Sequence, residues 1–339
     1  MTPINRREML AGLLGLGGLA LPRPARAAAA EKPWHIFMVV WRGEESATRG
    51  FQHYFRRRDL PVEFTVRDCA RDAGRLPGFV DEIKAARPDL VVTWGTTVTL
   101  NVLGRHDAVD PARHVTDIPA VFMIVSQPVG AGIVPSFDGS GRNVAGTRYL
   151  VREKVQVQAA RRYFDFNTLG VIYNPNEANA RVSVQRLKDL QAEMDLTVLA
   201  KPVPLDADDK PRPEALPGLV ADLAAAGADL LYQPPDSFLM TRKERLTGAA
   251  LEHGLPTLAA GEGPVRDAHA LMGVVNRYRV VGQLTAQKAH KILLGEGDPA
   301  TMPIQAPPEF AIVINMAAAR RLALYPPMAL LRMAEVVKE

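Results

Sequence analysis

The stretch LGVIYNPNEANARVSVQRLKDL, Leu169 to Leu190, runs as an apolar strand, breaks at a polar Asn-Pro-Asn turn and enters an amphipathic helix. A strand that is apolar on both faces and feeds a helix belongs in a parallel sheet covered on both sides. The same plan occurs earlier in HIFMVVWRGEES, starting at His35. Two further pairs keep the spacing. RPDLVVTWGTT and GADLLYQPPDS share an Asp-Leu start, with Asp89 matching Asp229; DIPAVFMIVSQP and GLPTLAAGEG share a proline at strand entry, with Pro119 matching Pro256. All of these offsets are roughly 135–140 residues, which is the signature of one unit built twice. Two similar α/β lobes follow, each with a doubly wound, Rossmann-like parallel sheet.

Between these landmarks, ESATRGFQHYFRRR reads as a helix with Phe51 and Phe55 on one face, VEFTVRDC as a strand, and LPGFVDEIKAAR as a helix with Phe79, Ile83 and Ala86 at helical spacing. The lobes join near GRNVAGTRYL. After Asn276 come a helix, RVVGQLTAQKAHKILLGEG, a strand, PPEFAIVIN, and a last helix, MAAARRLALYPP. That tail is too short for a third domain, so it completes the two lobes. The expected division is 33–148 plus 277–302 for the first and 149–276 plus 303–328 for the second. A chain that crosses between lobes several times makes a hinge that moves as a unit.

NRREML sets twin arginines, Arg6 and Arg7, before the Gly-rich apolar run LAGLLGLGGLAL, and an Ala-x-Ala pattern follows at Ala25-Arg26-Ala27. This reads as a twin-arginine export signal over residues 1–27. The apolar run is too short to span a bilayer at about 20 residues per crossing, so the mature chain is expected in the periplasm and not embedded in the membrane. The leader holds four arginines against one acid, Glu8; removing that excess of three from the formal +4 leaves roughly +1. Such a balance gives no reason to expect a nucleic-acid partner. Cys69 is the only cysteine, so no internal disulfide is available and the apolar cores must carry stability.

Ligands of open α/β sheets bind beyond the carboxyl ends of the strands. Six turns lie there: Trp41 to Glu45, Gly95-Thr96-Thr97, Ser126-Gln127-Pro128, Asn174 to Asn179, Pro235-Asp236-Ser237, and Gly261-Glu262-Gly263. If the lobes face each other, these turns line one cleft. Thr96-Thr97 and Asp236-Ser237 read as helix N-caps whose free N–H groups suit a carboxylate. Arg42 suits a carboxylate and Glu44, Glu45 or Asp236 an ammonium group. Asn174, Asn176 and Glu177 are candidates for contacts made on closure. Trp41, Phe238 and Tyr278 are the preferred aromatic walls, ahead of Trp94 and Tyr173. The seven histidines show no metal-ligand spacing, and neither a Gly-x-Ser-x-Gly elbow nor a Walker loop is present. No cofactor, metal or catalytic residue is therefore expected.

GVIYNPNEANA, NVAGT, PPDSF, FMIVSQPVGAGIV and QKAHKILLGEGDPATMPIQ with VINMAAARRLAL, several of them agreeing in order along the chain, resemble the ABC-transporter substrate-binding family that includes tryptophan-type binding proteins. The resemblance covers about Trp34 to Leu324. It implies a type I periplasmic-binding-protein fold with three crossovers, a ligand clasped between the lobes, an ABC permease as partner, a monomer and no enzymatic step. The first turn, WRGEESATRG, departs from the more familiar members, so specificity for an aromatic amino acid does not carry over. A small, amino-acid-like polar ligand is the first expectation. Two alternatives stay open: a ligand-sensing subunit of a membrane signalling system, and an exported enzyme that uses the same cleft.

Overall fold

The computed structural model describes residues 32–337, and the expected export leader lies outside them. The first sheet holds β1 (Trp34–Val40), β2 (Val62–Asp68), β3 (Leu90–Trp94), β4 (Ala120–Val125) and β5 (Val144–Arg148), in the order β2-β1-β3-β4-β5. Every pairing in it is parallel. The second sheet holds β6 (Thr168–Tyr173), β7 (Thr197–Pro202), β8 (Leu230–Gln233), β9 (Thr257–Ala259), β10 (Met272–Val275), β11 (Ala311–Asn315) and β12 (Ala334–Val337). Its order is β12-β11-β10-β9-β8-β6-β7. The run β7-β6-β8-β9-β10 repeats the permutation of the first sheet, so the chain is two doubly wound α/β lobes of the type I periplasmic-binding-protein class. Strand β11 runs antiparallel to β10, and β12 pairs parallel to β11. The strand β12 and the short helix before it, Met328–Leu331, are elements that the sequence reading did not include.

The matched residues do matching work. The Asp89 carboxylate accepts the His35 N–H at the start of β1 (2.7 Å), and Asp229 accepts the Thr168 N–H at the start of β6 (2.8 Å). The Pro119 carbonyl accepts the Val91 N–H (2.9 Å), and the Pro256 carbonyl accepts that of Leu231 (2.8 Å). A proline suits each strand entry because only its carbonyl is needed there.

Side-chain alternation along each buried strand splits its core in two. In the first lobe, Phe37 and Val39 of β1 pack with Leu76, Val80 and Ile83 of the helix Leu76–Ala86. Ile36, Met38 and Val40 pack on the opposite face with Phe51 and Phe55 of the helix Ser46–Arg56, and with Val281 and Ala286 of the helix Tyr278–Leu293. Phe51 and Phe55, one helical turn apart, are fully buried, each contributing about 1.5–3 kcal/mol relative to exposure.

The chain passes between the sheets three times: from β5 to β6, from β10 to the helix Tyr278–Leu293, and from that helix back to β11. The passes are tied together. Asn276 donates its amide to the Tyr149 carbonyl (2.6 Å), and the Arg148 N–H donates to the Gln305 carbonyl (3.0 Å). Among the described residues no helix is long and apolar enough to cross a membrane, and no cluster of His, Cys, Asp and Glu has the makings of a metal site.

Candidate functional site

The strand-end turns form a cleft with three compartments. The innermost has a volume of about 30 Å³ and is lined from the first lobe by Arg42, Trp94, Gly95, Thr96, Thr97 and Ile124. Asn179, Pro235, Asp236, Ser237 and Met240 line it from the second lobe, and Tyr149 and Tyr278 from the crossovers. An outer compartment of about 600 Å³ shares Arg42, Met240 and Tyr278 and adds charged residues, Glu44, Glu45, Arg49, Lys243, Glu262 and Arg266 among them. A side recess of about 390 Å³ is lined by Trp41, Arg71, Asn174, Glu177, Ser237 and Phe238, among others.

The sequence candidates therefore separate. Arg42, Gly95, Thr96, Thr97, Asp236, Ser237 and Tyr278 meet at the innermost compartment. Glu44, Glu45 and Glu262 stand at the outer one. Trp41, Asn174, Glu177 and Phe238 face the side recess. Ser126, Gln127 and Asn176 line none of the three. Gln127 turns inward and donates to the buried Glu153 carboxylate (2.9 Å), which also accepts from Ser183 (2.9 Å). Asn176 is exposed and donates to the Asp209 carbonyl (2.6 Å). A turn signal locates the end of a strand but leaves open which side of it each side chain takes.

Two helix starts were expected to be capped by their own polar residues. Asp236 does cap the helix Ser237–Thr241, its Oδ1 accepting the Leu239 N–H (2.9 Å). Thr96 does not cap; the N-cap of the helix Thr96–Leu103 is Gly95, at φ +87°, a region open to glycine and costly for other residues. No side chain caps that helix start, so its first amides face the cleft unclaimed by a cap. At the second helix start the amides are taken: Glu177 accepts from Ser237 N–H (2.8 Å) and Phe238 N–H (3.0 Å). Of the two helix ends, only that of Thr96–Leu103 is left for an anion.

The acidic candidates divide in the same way. Glu45 is held by Arg42 through Nε (2.6 Å) and Nη2 (3.3 Å), and Glu44 accepts from Gln52 (3.0 Å). Glu262 caps the helix Tyr278–Leu293 by accepting the Tyr278 N–H (3.0 Å), and its other oxygen pairs with Arg266 (3.1 Å). Asp236 alone stands in the innermost compartment. Its Oδ2 accepts the Asn174 N–H (2.7 Å), so it also ties the turn after β6 to the turn after β8. Burial, and then the neighbouring Glu177 charge, push the Asp236 carboxyl well above the usual range, against the pull of its backbone amides.

Opposite it, the Arg42 guanidinium is nearly buried and lies 4.9 Å from the Trp94 ring centroid. Burial is the largest single influence and works against that charge, but the Glu45 hydrogen bonds together with the electrostatic pull of Tyr278, Glu45 and Tyr149 outweigh it and hold the guanidinium pKa above its ordinary value. Tyr149 and Tyr278 meet edge to face at 5.3 Å, and Trp94 and Tyr278 at 6.5 Å. Burial pushes the Tyr278 hydroxyl up to about 12. The Trp94 Nε1 donor is buried and has no hydrogen-bond partner among the described residues. The aromatic wall is thus Trp94, Tyr149 and Tyr278, whereas Trp41 and Phe238, ranked above Trp94 on sequence, face the side recess. Tyr149, Ile124 and Met240 were not among the expected residues, whereas Pro235 lay in an expected turn. Asn179 lay in the quoted turn without being singled out, and it donates to the Pro235 carbonyl.

Two lobes with their strand ends facing one charged and aromatic cleft define a solute-binding architecture. The sequence profile of the family described as ABC transporter substrate binding protein matches residues 49–338, and the chain belongs to that family. The chain is 30% identical over 203 residues to a tyrosine-binding protein of Clostridioides difficile, an alignment covering 59% of this chain and 55% of the relative. The chain thus spans about half the length of the curated relative it matches. Two solved structures share the fold. One, a conserved domain protein from Vibrio cholerae, has a TM-score of 0.78 at 22% identity, covering 91% of this chain and 100% of that one. The other, an ABC domain in complex with L-Trp from Streptococcus pneumonia, has a TM-score of 0.74 at 20% identity, covering 89% and 100%.

Proposed function

We propose that this substrate-binding protein is exported by the twin-arginine route, closes as a monomer on a free amino acid with an apolar or aromatic side chain, and delivers it to an ABC permease. One observation carries the ligand: a single compartment brings together Arg42 and the start of the helix Thr96–Leu103, Asp236, and the rings of Trp94, Tyr149 and Tyr278. A guanidinium and free helix amides match a carboxylate, a buried carboxylate matches an ammonium group, and the rings match a side chain. The names of the tyrosine-binding and L-Trp-bound proteins point the same way. In this reading the lobes are 33–148 plus 277–302 and 149–276 plus 303–328, and closure of the hinge presents both to the permease as one face.

Titration calorimetry of the mature chain against the twenty amino acids tests the ligand. Saturable one-to-one binding of an apolar or aromatic amino acid, recovered unchanged after long incubation, is expected. Binding by none of them would sink this part of the reading. For export, replacing Arg6 and Arg7 by lysine is expected to leave the precursor in the cytoplasm; unaltered release into the periplasmic fraction would exclude the twin-arginine route.

A further inference from the structure

Strand β4 contains an irregularity that the binding function alone does not require. Its pairing with β5 runs Phe122 to Gly146 and then Val125 to Arg148, three steps on one strand against two on the other. This is a bulge with one extra residue. Ile124 sits inside it at φ +56°, a left-handed conformation in which a β-branched residue is a true outlier. The bulge resets the alternation of the strand. Ala120 and Phe122 face the core layer under the helices Leu76–Ala86 and Thr96–Leu103, and Val121 and Met123 face the opposite layer. By alternation Ile124 would join Phe122. It instead follows Met123 onto the layer that holds Trp94, Tyr149 and Tyr278, while Val125 returns to the other side.

The consequence is local and directed. Met123 keeps its place opposite Trp94 on β3, and its carbonyl accepts the Gly95 N–H (2.9 Å), so the turn that starts the helix Thr96–Leu103 is undisturbed. Only Ile124 is re-aimed, and its side chain, 4% exposed, ends in the lining of the innermost compartment. A strained backbone that persists in a packed sheet beside a site is a reason to ask what the strain achieves. We propose that Ile124 is the specificity-determining residue of the cleft: the bulge turns its side chain into the floor beneath the aromatic wall, where its bulk sets the largest ligand side chain that fits. The proposal rests on the cleft being the ligand site and deepens the amino-acid reading.

Ile124→Gly and Ile124→Ala test it at two levels. The first readout is thermal melting, which needs no ligand. At an ordinary buried strand position glycine is worse than alanine. At a left-handed position the order inverts, so Ile124→Gly is expected to melt at or above Ile124→Ala; a markedly lower midpoint would show that position 124 is not held left-handed in the folded protein and would overturn the proposal. The second readout is calorimetry with phenylalanine and tryptophan. The tryptophan-to-phenylalanine affinity ratio is expected to rise at least about tenfold in both variants, in line with the discrimination a pocket gains from one or two methyl-sized groups. An unchanged ratio in variants that still bind would overturn it. If the wild type binds neither amino acid, indole becomes the probe, whether or not the functional reading, which fails only if none of the twenty binds, still stands: Ile124→Gly is expected to bind it at least about tenfold more tightly than the wild type, because an apolar floor enlarged by a side chain admits a flat apolar guest. Equal indole affinity would then overturn the proposal.

Discussion

Asp236→Asn is expected to weaken amino-acid binding by about 10- to 150-fold, the worth of one hydrogen bond to a charged group. The chain itself should still fold. The two oxygens of Asp236 do three things: Oδ1 caps the helix Ser237–Thr241 through Leu239, Oδ2 fixes the turn after β6 through Asn174, and the carboxylate faces the innermost compartment. Asparagine keeps one acceptor, so it retains the cap and leaves the buried Asn174 N–H facing an NH2 group. Alanine loses both, adding a cap worth about 1 kcal/mol to an unmet buried amide worth about 1–3 kcal/mol. Asp236→Ala should therefore melt well below Asp236→Asn, as the expected cap on the helix Ser237–Thr241 and the tie to Asn174 together require.

The pH dependence follows from the direction of the same shift. Burial raises the folded carboxyl above its value in the unfolded chain, so the folded state holds the proton more readily. Its contribution to the stability of the unliganded protein is full below the unfolded value and is lost as pH rises through the raised one. Binding of an ammonium group runs the other way, because it needs the carboxylate, so affinity should rise with pH across that interval. Asp236→Asn should flatten this rise. A wild-type affinity that does not rise with pH above the ordinary carboxylate range, or a rise that survives in Asp236→Asn, would remove Asp236 from the ammonium site.

Much of the architecture was legible because it is written twice. Asp89 and Asp229, and Pro119 and Pro256, are far apart in sequence yet make equivalent hydrogen bonds at equivalent strands, so their offset reported topology directly. Side-chain direction was less accessible. Ser126-Gln127 and Asn174-Pro175-Asn176 follow strands as clearly as Gly95-Thr96-Thr97 does, but only the last turn faces the innermost compartment. Which way a turn residue points depends on what lies across the lobe; for Gln127 that is the buried Glu153, supplied from the far side of a crossover. Tyr149 was missed because it sits in the segment joining the lobes, where no periodicity marks it. Ile124 was missed because its bulge carries no glycine or asparagine, the usual sign of a left-handed residue. Strand β12 escaped because AEVV is four residues long and ends beyond the matched repeat.

Gly282→Ala carries the largest expected loss of stability. By helix propensity alone the change should help, since glycine inside a helix costs about 0.5–1 kcal/mol relative to alanine. Packing reverses the sign. A β-carbon at position 282 would lie 2.0 Å from the Ala47 carbonyl oxygen and 3.0 Å from the Phe51 amide nitrogen, and one at Gly50 would lie 2.4 Å from the Arg279 carbonyl oxygen. These neighbours are backbone, which cannot rotate away, so the helices Ser46–Arg56 and Tyr278–Leu293 must separate. The cost should reach or exceed the upper end of the usual overpacking range, about 3 kcal/mol, or a fall of roughly 5 °C in the melting midpoint for a chain of this size. Gly78→Ala is the control, since a β-carbon there meets nothing within 4 Å, and it should be neutral or slightly stabilising. The effect should also reach the ligand. The first helix begins just after Arg42 and Glu45, and the second begins at Tyr278, whose N–H is held by Glu262 of the other lobe. Parting the helices moves Tyr278 away from Arg42 and Trp94, so amino-acid affinity should fall together with stability. A Gly282→Ala protein that melts with the wild type and binds as tightly would mean that these helices do not pack backbone to backbone, and that the aromatic wall does not depend on their contact.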